Sequence, residues 1–102
     1  MDWQTSDGIR LNYQVAGSGQ PVVLIHGFGG YQQIWCLQVP ELVKQGYQVI
    51  TYDQRNHGAS GHTPELDSID RLIDDLYELL VGLKVDRPVL IGHSMGAAEI
   101  YG

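Results

Sequence analysis

Two short, uninterrupted apolar runs constrain this chain most: Pro21-Val22-Val23-Leu24-Ile25-His26 and Pro88-Val89-Leu90-Ile91-Gly92. Neither alternates with polar residues, so each suits a strand covered on both faces, as in a parallel sheet. A third strand, Gln48-Val49-Ile50-Thr51-Tyr52-Asp53, is expected between them. Before it, Ile34, Trp35, Leu37, Leu42 and Val43 recur at helical spacing up to Gly46. Pro40 sits inside that pattern, where a helix should break or re-enter because proline lacks an amide donor and clashes with the preceding turn. After the third strand, Ile69, Leu72, Ile73, Leu76, Leu79, Leu80 and Leu83 follow spacings of three and four, with Asp70, Arg71, Asp74, Asp75 and Glu78 on the other side. That is an amphipathic helix, with Asp67 or Ser68 as its N-cap. Residues 93–100 have the composition of a further helix start. Parallel strands joined through helices need right-handed crossovers, so the expected class is α/β, a mostly parallel sheet with helices on both faces.

The N-terminal stretch differs. Ile9, Leu11 and Tyr13 alternate with Arg10, Asn12 and Gln14, the period of a strand buried on one face. Residues 3–5 can pair with it antiparallel through Ser6-Asp7-Gly8, a strong hairpin signal. The whole chain of 102 residues makes at most one domain, and 43% hydrophobic residues suffice for a core. A net charge of −6 with six scattered basic residues argues against nucleic acid or an anionic membrane surface as partner. No apolar run reaches a membrane span or a secretory signal, which points to a cytoplasmic protein. The single cysteine, Cys36, excludes an internal disulfide and reads as a buried small hydrophobe. Gly17-Ser18-Gly19 precedes a strand rather than opening a helix, so it is not a phosphate loop. No cofactor and no metal site is indicated.

Chemistry concentrates at the C-terminal ends of the expected parallel strands. Gly92-His93-Ser94-Met95-Gly96 matches G-x-S-x-G, a strained strand-to-helix turn that exposes a serine hydroxyl. About 0.08 such matches are expected by chance at this composition, so the flanking strand and helix carry the weight. His26-Gly27-Phe28-Gly29-Gly30 lies after the first long strand, and its glycines let a backbone amide turn inward. Asp53-Gln54-Arg55-Asn56-His57-Gly58-Ala59-Ser60 follows the next strand. In this order the three segments resemble the α/β-hydrolase superfamily, specifically its serine esterase and lipase-like branch, over residues 8–102. Asn56 stands where glycine is common in that family, and asparagine tolerates positive φ better than most residues.

The resemblance implies that Ser94 is the nucleophile and that the backbone amides of Phe28 and Met95 are oxyanion donors. The substrate would be a small molecule, a carboxylic ester or related acyl compound, cleaved through an acyl-enzyme. Phe28, Met95, Tyr31 and Ile34 could line the acyl pocket. The family's acid and general-base histidine follow the serine in the chain. Residues 95–102 contain Glu99, which should point away from the serine, and no histidine. Residues 1–102 are therefore expected to form the N-terminal portion of one hydrolase domain, stopping just after the nucleophile turn and inactive alone. One half of a split hydrolase, or a non-catalytic binding module with the same sheet, is the alternative; its partner would be a C-terminal half or a second copy joined along an exposed sheet edge. Of the histidines, His26 reads as a loop-fixing residue, His93 as a packed or hydrogen-bonded one, and His57 and His62 as surface residues. Asp53 and Arg55 read as a structural pair that organises their loop.

Overall fold

The computed structural model describes residues 1–27, 30–62 and 69–93. Five strands, β1 (Asp2–Gln4), β2 (Arg10–Ala16), β3 (Gln20–Ile25), β4 (Tyr47–Tyr52) and β5 (Val89–Gly92), form one sheet in the order β1-β2-β4-β3-β5. β4, β3 and β5 are mutually parallel, while β2 pairs antiparallel with both β1 and β4. The sheet is therefore mixed, with its parallel part at the apolar runs. The first turn forms as expected: Gln4 pairs with Arg10, and Gly8 takes the positive φ of 88° that closes the reversal.

Two helices cover opposite faces. Odd-numbered residues of β3 and even-numbered ones of β4 (Val23, Ile25, Ile50 and Tyr52) pack with Leu11 against Leu76 and Leu79 of α2 (Ile69–Gly82). The alternate residues Val22, Leu24 and Val49 pack against Trp35 and against Val39, Leu42 and Val43 of α1 (Gln38–Lys44). The first crossover runs from β3 to β4 on one side, and the second returns past β3 to β5 on the other. Right-handed connections that travel in opposite directions place their helices on opposite faces.

The segment before α1 differs in detail from the sequence expectation. A 3₁₀ turn (Gln32–Trp35) precedes the helix, and the break falls at Cys36 and Leu37. Pro40 is the third residue of α1, inside the first turn, where an amide has no helical acceptor and proline costs little. Cys36, expected buried, lies in that break and is exposed. Among the described side chains of α2 the buried ones are Leu72, Asp75, Leu76 and Leu79, so Asp75 lies on the core-facing stripe and not on the polar side. The expected caps Asp67 and Ser68, and the helix start after β5, lie outside the described residues.

Candidate active site at the switch point

The first crossover leaves β3 toward β4 and the second returns from β4 past β3 to β5, so the strand order reverses at the crevice beyond the C-terminal ends of β3 and β5. In open α/β sheets that crevice is where ligands bind. Register places Ile25 opposite Gly92, and the His93 N–H donates to the Ile25 carbonyl at 2.9 Å. The chain therefore leaves β5 toward Ser94 directly beside the point where it leaves β3 toward Phe28. Ser94, Met95 and Phe28, and likewise Glu99, lie outside the described residues. Tyr31 and Ile34 are 49% and 40% exposed, joined by a bond from the Ile34 N–H to the Tyr31 carbonyl.

His26 is fully buried at the end of β3. Its Nε2 accepts the Gln54 backbone N–H at 2.9 Å, which leaves Nδ1 as the protonated nitrogen, donating to the Gly27 carbonyl at 2.7 Å. Burial holds the His26 imidazole below its ordinary pKa, against the opposite pull of the Gly27 carbonyl, and the neighbouring His57 ring adds to the lowering. A neutral histidine with both nitrogens committed to backbone fixes a loop; the sequence expectation for His26 holds. The Gln54 side chain closes a second bond, from Nε2 to the His26 carbonyl at 2.8 Å.

Asp53 does not pair with Arg55. Its carboxylate, 1% exposed, accepts the backbone N–H of Gln32 at 2.7 Å and of Ala59 at 3.0 Å, and the Gln32 side-chain amide at 3.2 Å. Gly58, at φ 51°, permits this approach, because a Cβ there would overlap the carboxyl group. Gln32 also donates to Asn12 Oδ1 at 2.9 Å and accepts from Thr51 Oγ1 at 3.0 Å, so it spans β2 and β4. Arg55 instead swings to α2. It holds Asp75 through Nε at 2.6 Å and Nη2 at 2.8 Å, and Asp7 of the first turn through Nη1 and Nη2 at 3.0 Å each. The Asp53 oxygens are taken up by Gln32 and Ala59, and two other carboxylates meet the Arg55 guanidinium; Asn56, the residue after Arg55, adopts φ 64°, as asparagine allows.

The other histidines divide. His57, expected at the surface, is buried; its Nδ1 lies 2.9 Å from the Arg55 carbonyl and its ring 5.0 Å from that of His26. His62 is exposed as expected. His93 is exposed too, and its described contact is made by backbone. Gln32 and Gln54 are the residues that sequence reasoning passed over, since nothing in their local pattern separates a buried glutamine from a solvated one.

A mixed sheet of this order, with β3 and β5 ending side by side and a helix on each face, is the architecture of the α/β-hydrolase class. Comparison agrees: the family model for the alpha/beta hydrolase fold matches residues 20–100, and the chain belongs to that family. A non-heme chloroperoxidase of Kitasatospora aureofaciens is 40% identical over 98 residues, covering 94% of this chain and 35% of that protein. Epoxide hydrolase A of Mycobacterium tuberculosis is 37% identical over 100 residues, covering 94% of this chain and 31% of that protein. The crystallised esterase of Exiguobacterium antarcticum superposes with a TM-score of 0.93 at 30% identity, covering 97% of this chain and 37% of that one. The chain thus spans about a third of the length of these relatives. Among the described residues no helix is long and apolar enough to cross a membrane.

Proposed function

We propose that this chain carries the nucleophile half of a serine hydrolase that cleaves a carboxylic ester or related acyl substrate through an acyl-enzyme. Ser94 attacks the carbonyl, the amides of Phe28 and Met95 receive the developing oxyanion, and water later releases the acyl group. The observation that carries this reading is the register at the switch point, where the Ile25–Gly92 pairing brings the exits of β3 and β5 side by side. Relatives named for haloperoxidase, epoxide hydrolase and esterase activity support hydrolase-type chemistry without choosing among substrates.

The acid and the general-base histidine come from a C-terminal portion. One observation supports such a completing partner: β5 is an edge strand, and its Ile91 is 39% exposed over a groove of about 350 Å³ lined by Leu24, Leu37 and Leu42. The test is hydrolysis of p-nitrophenyl butyrate by this chain with and without a C-terminal hydrolase portion, with Ser94→Ala as control. Turnover is expected only in the mixture and only with Ser94. Equal turnover in the Ser94→Ala mixture sinks the nucleophile assignment. Ready labelling of the chain alone by a fluorophosphonate contradicts the need for a partner, because an unassisted serine is a weak nucleophile.

A further inference from the structure

We infer that Asp53 and Gln54, consecutive residues just beyond β4, are positioning residues that hold the two ends of the segment from His26 to Gln32. The inference rests on the reading that this segment supplies an oxyanion donor.

An oxyanion donor contributes only if it is already aimed, since an error of about 1 Å can cost about a hundredfold in rate. The sequence of the segment supplies little stiffness of its own. Three of its residues, Gly27, Gly29 and Gly30, are glycines, which have the widest backbone freedom of any residue. Its own described closure is one bond, from the Gly30 N–H to the Gly27 carbonyl at 3.0 Å, spanning positions 28 and 29. Beyond the bonds of the Gln32 side chain with Asn12 and Thr51, the anchors among the described residues come from the loop after β4.

At the near end, Gln54 grips His26 twice, once by backbone on the ring nitrogen at 2.9 Å and once by side chain on the carbonyl at 2.8 Å. At the far end, Asp53 takes the Gln32 N–H at 2.7 Å with a carboxylate that has no cation among its described partners. Bonds from N–H groups to carboxylate oxygens are among the strong kind. All four residues are at most 5% exposed, so water does not compete for these bonds. The division of labour with Arg55 is clear in the same loop: the Arg55 side chain secures the loop to α2 and the first turn, while the side chains of Asp53 and Gln54 bond to the segment after β3 and, in the case of Asp53, to the Ala59 N–H.

A purely structural role would weaken the whole sheet; a positioning role loosens one segment. Hydrogen exchange on the full chain separates them. In Gln54→Leu and in Asp53→Asn, the amides of Gly30, Tyr31 and Gln32 are expected to exchange about tenfold faster, the loss of about one net hydrogen bond, while those of Val23 and Ile50 keep their protection. Mixed with a C-terminal portion, Gln54→Leu is expected to lower kcat about tenfold with KM within about twofold, since aim and not binding is lost. Unchanged exchange at residues 30–32 in Gln54→Leu overturns the inference, and so does equal acceleration at Val23 and Ile50. If the wild-type mixture shows no Ser94-dependent turnover, the functional reading fails, and the exchange measurement still decides on the anchors.

Discussion

The two faces of the sheet are finished to different degrees. On the α2 face, Leu11, Val23, Ile25, Ile50, Tyr52, Leu76 and Leu79 are buried together, ringed by Trp3, Tyr13, Leu83 and Leu90. The ion cluster of Arg55, Asp75 and Asp7, with Arg71 bridging Asp75 and Glu78, ties this layer to the first turn and to the loop after β4. On the α1 face, three strand residues are buried, and the helix that covers them has no fully buried residue of its own. Leu37 is 81% exposed, and grooves of about 230 and 350 Å³ flank the helix. The same sheet, with the same apolar strands, thus makes a well-filled core on one side and a thinly covered, grooved face on the other.

That contrast can be broken by mutation. Leu79→Ala, on the finished face, is expected to cost about 3–4 kcal/mol in urea unfolding, the transfer of a buried side chain plus the cavity left behind. Asp75→Ala should follow at about 3 kcal/mol, because Arg55 would remain buried with only the partly exposed Asp7 to balance it. A loss below about 1 kcal/mol in either would mean that the α2 face is not the stabilising one. Leu42→Ala, half-buried on the sheet-facing side of α1, should cost only about 1–2 kcal/mol. Ile91→Ser should change the stability of the chain by less than about 1 kcal/mol and instead weaken its association with a C-terminal portion, read by analytical ultracentrifugation.

Acid sharpens the comparison without mutation. The Asp7 carboxyl is held well below the usual carboxylate range by its bonds from Arg55, and Glu78 is held below it too; burial alone would raise Glu78, but the Ser6 N–H and Arg71 outweigh it. Folded-state values lower than unfolded ones mean stability that is full above the unfolded pKa and drains away as pH falls, here below about 4.5. His26 is also lowered, so the unfolded chain takes up a proton below about 6.5 that the folded chain refuses, and stability falls with pH there as well. Urea titrations should therefore show a first decline starting below about pH 6.5, absent in His26→Gln, and a second below about 4.5.

How far the sequence discloses this molecule depends on the range of each signal. The apolar runs, the helical spacing of α2 and the Asp-Gly turn are local, and they reappear within a residue or two in β3, β5, α2 and the first turn. Partners separated along the chain were not legible. Asp53 and Arg55 look like neighbours two residues apart, but the partners of Arg55 lie 20 and 48 residues away and those of the Asp53 carboxylate 21 and 6 away. Asp75 reads as polar-side because it is charged; geometrically it sits three residues after Leu72 and four before Leu79, on the buried stripe, where only a buried guanidinium makes it tolerable. His57 was misplaced for the same reason: loop composition suggests solvent, and a loop packed by its own hydrogen bonds excludes it. The glycine-serine motif is legible, and the register of Gly92 and His93 beside Ile25 is what the structure adds.

The order β1-β2-β4-β3-β5 also carries a kinetic consequence. β3 is the central strand of the parallel part, yet both of its neighbours are made after it, β4 beginning at residue 47 and β5 at residue 89. During synthesis its apolar face and both unpaired edges therefore wait for partners that do not yet exist. Parallel pairing across such separations is slow, and unsatisfied strand edges are where chains join the wrong neighbour. A nascent chain of this protein is most vulnerable to aggregation in the interval between emergence of Ile25 and emergence of Tyr52, and that interval is written into the topology of the sheet.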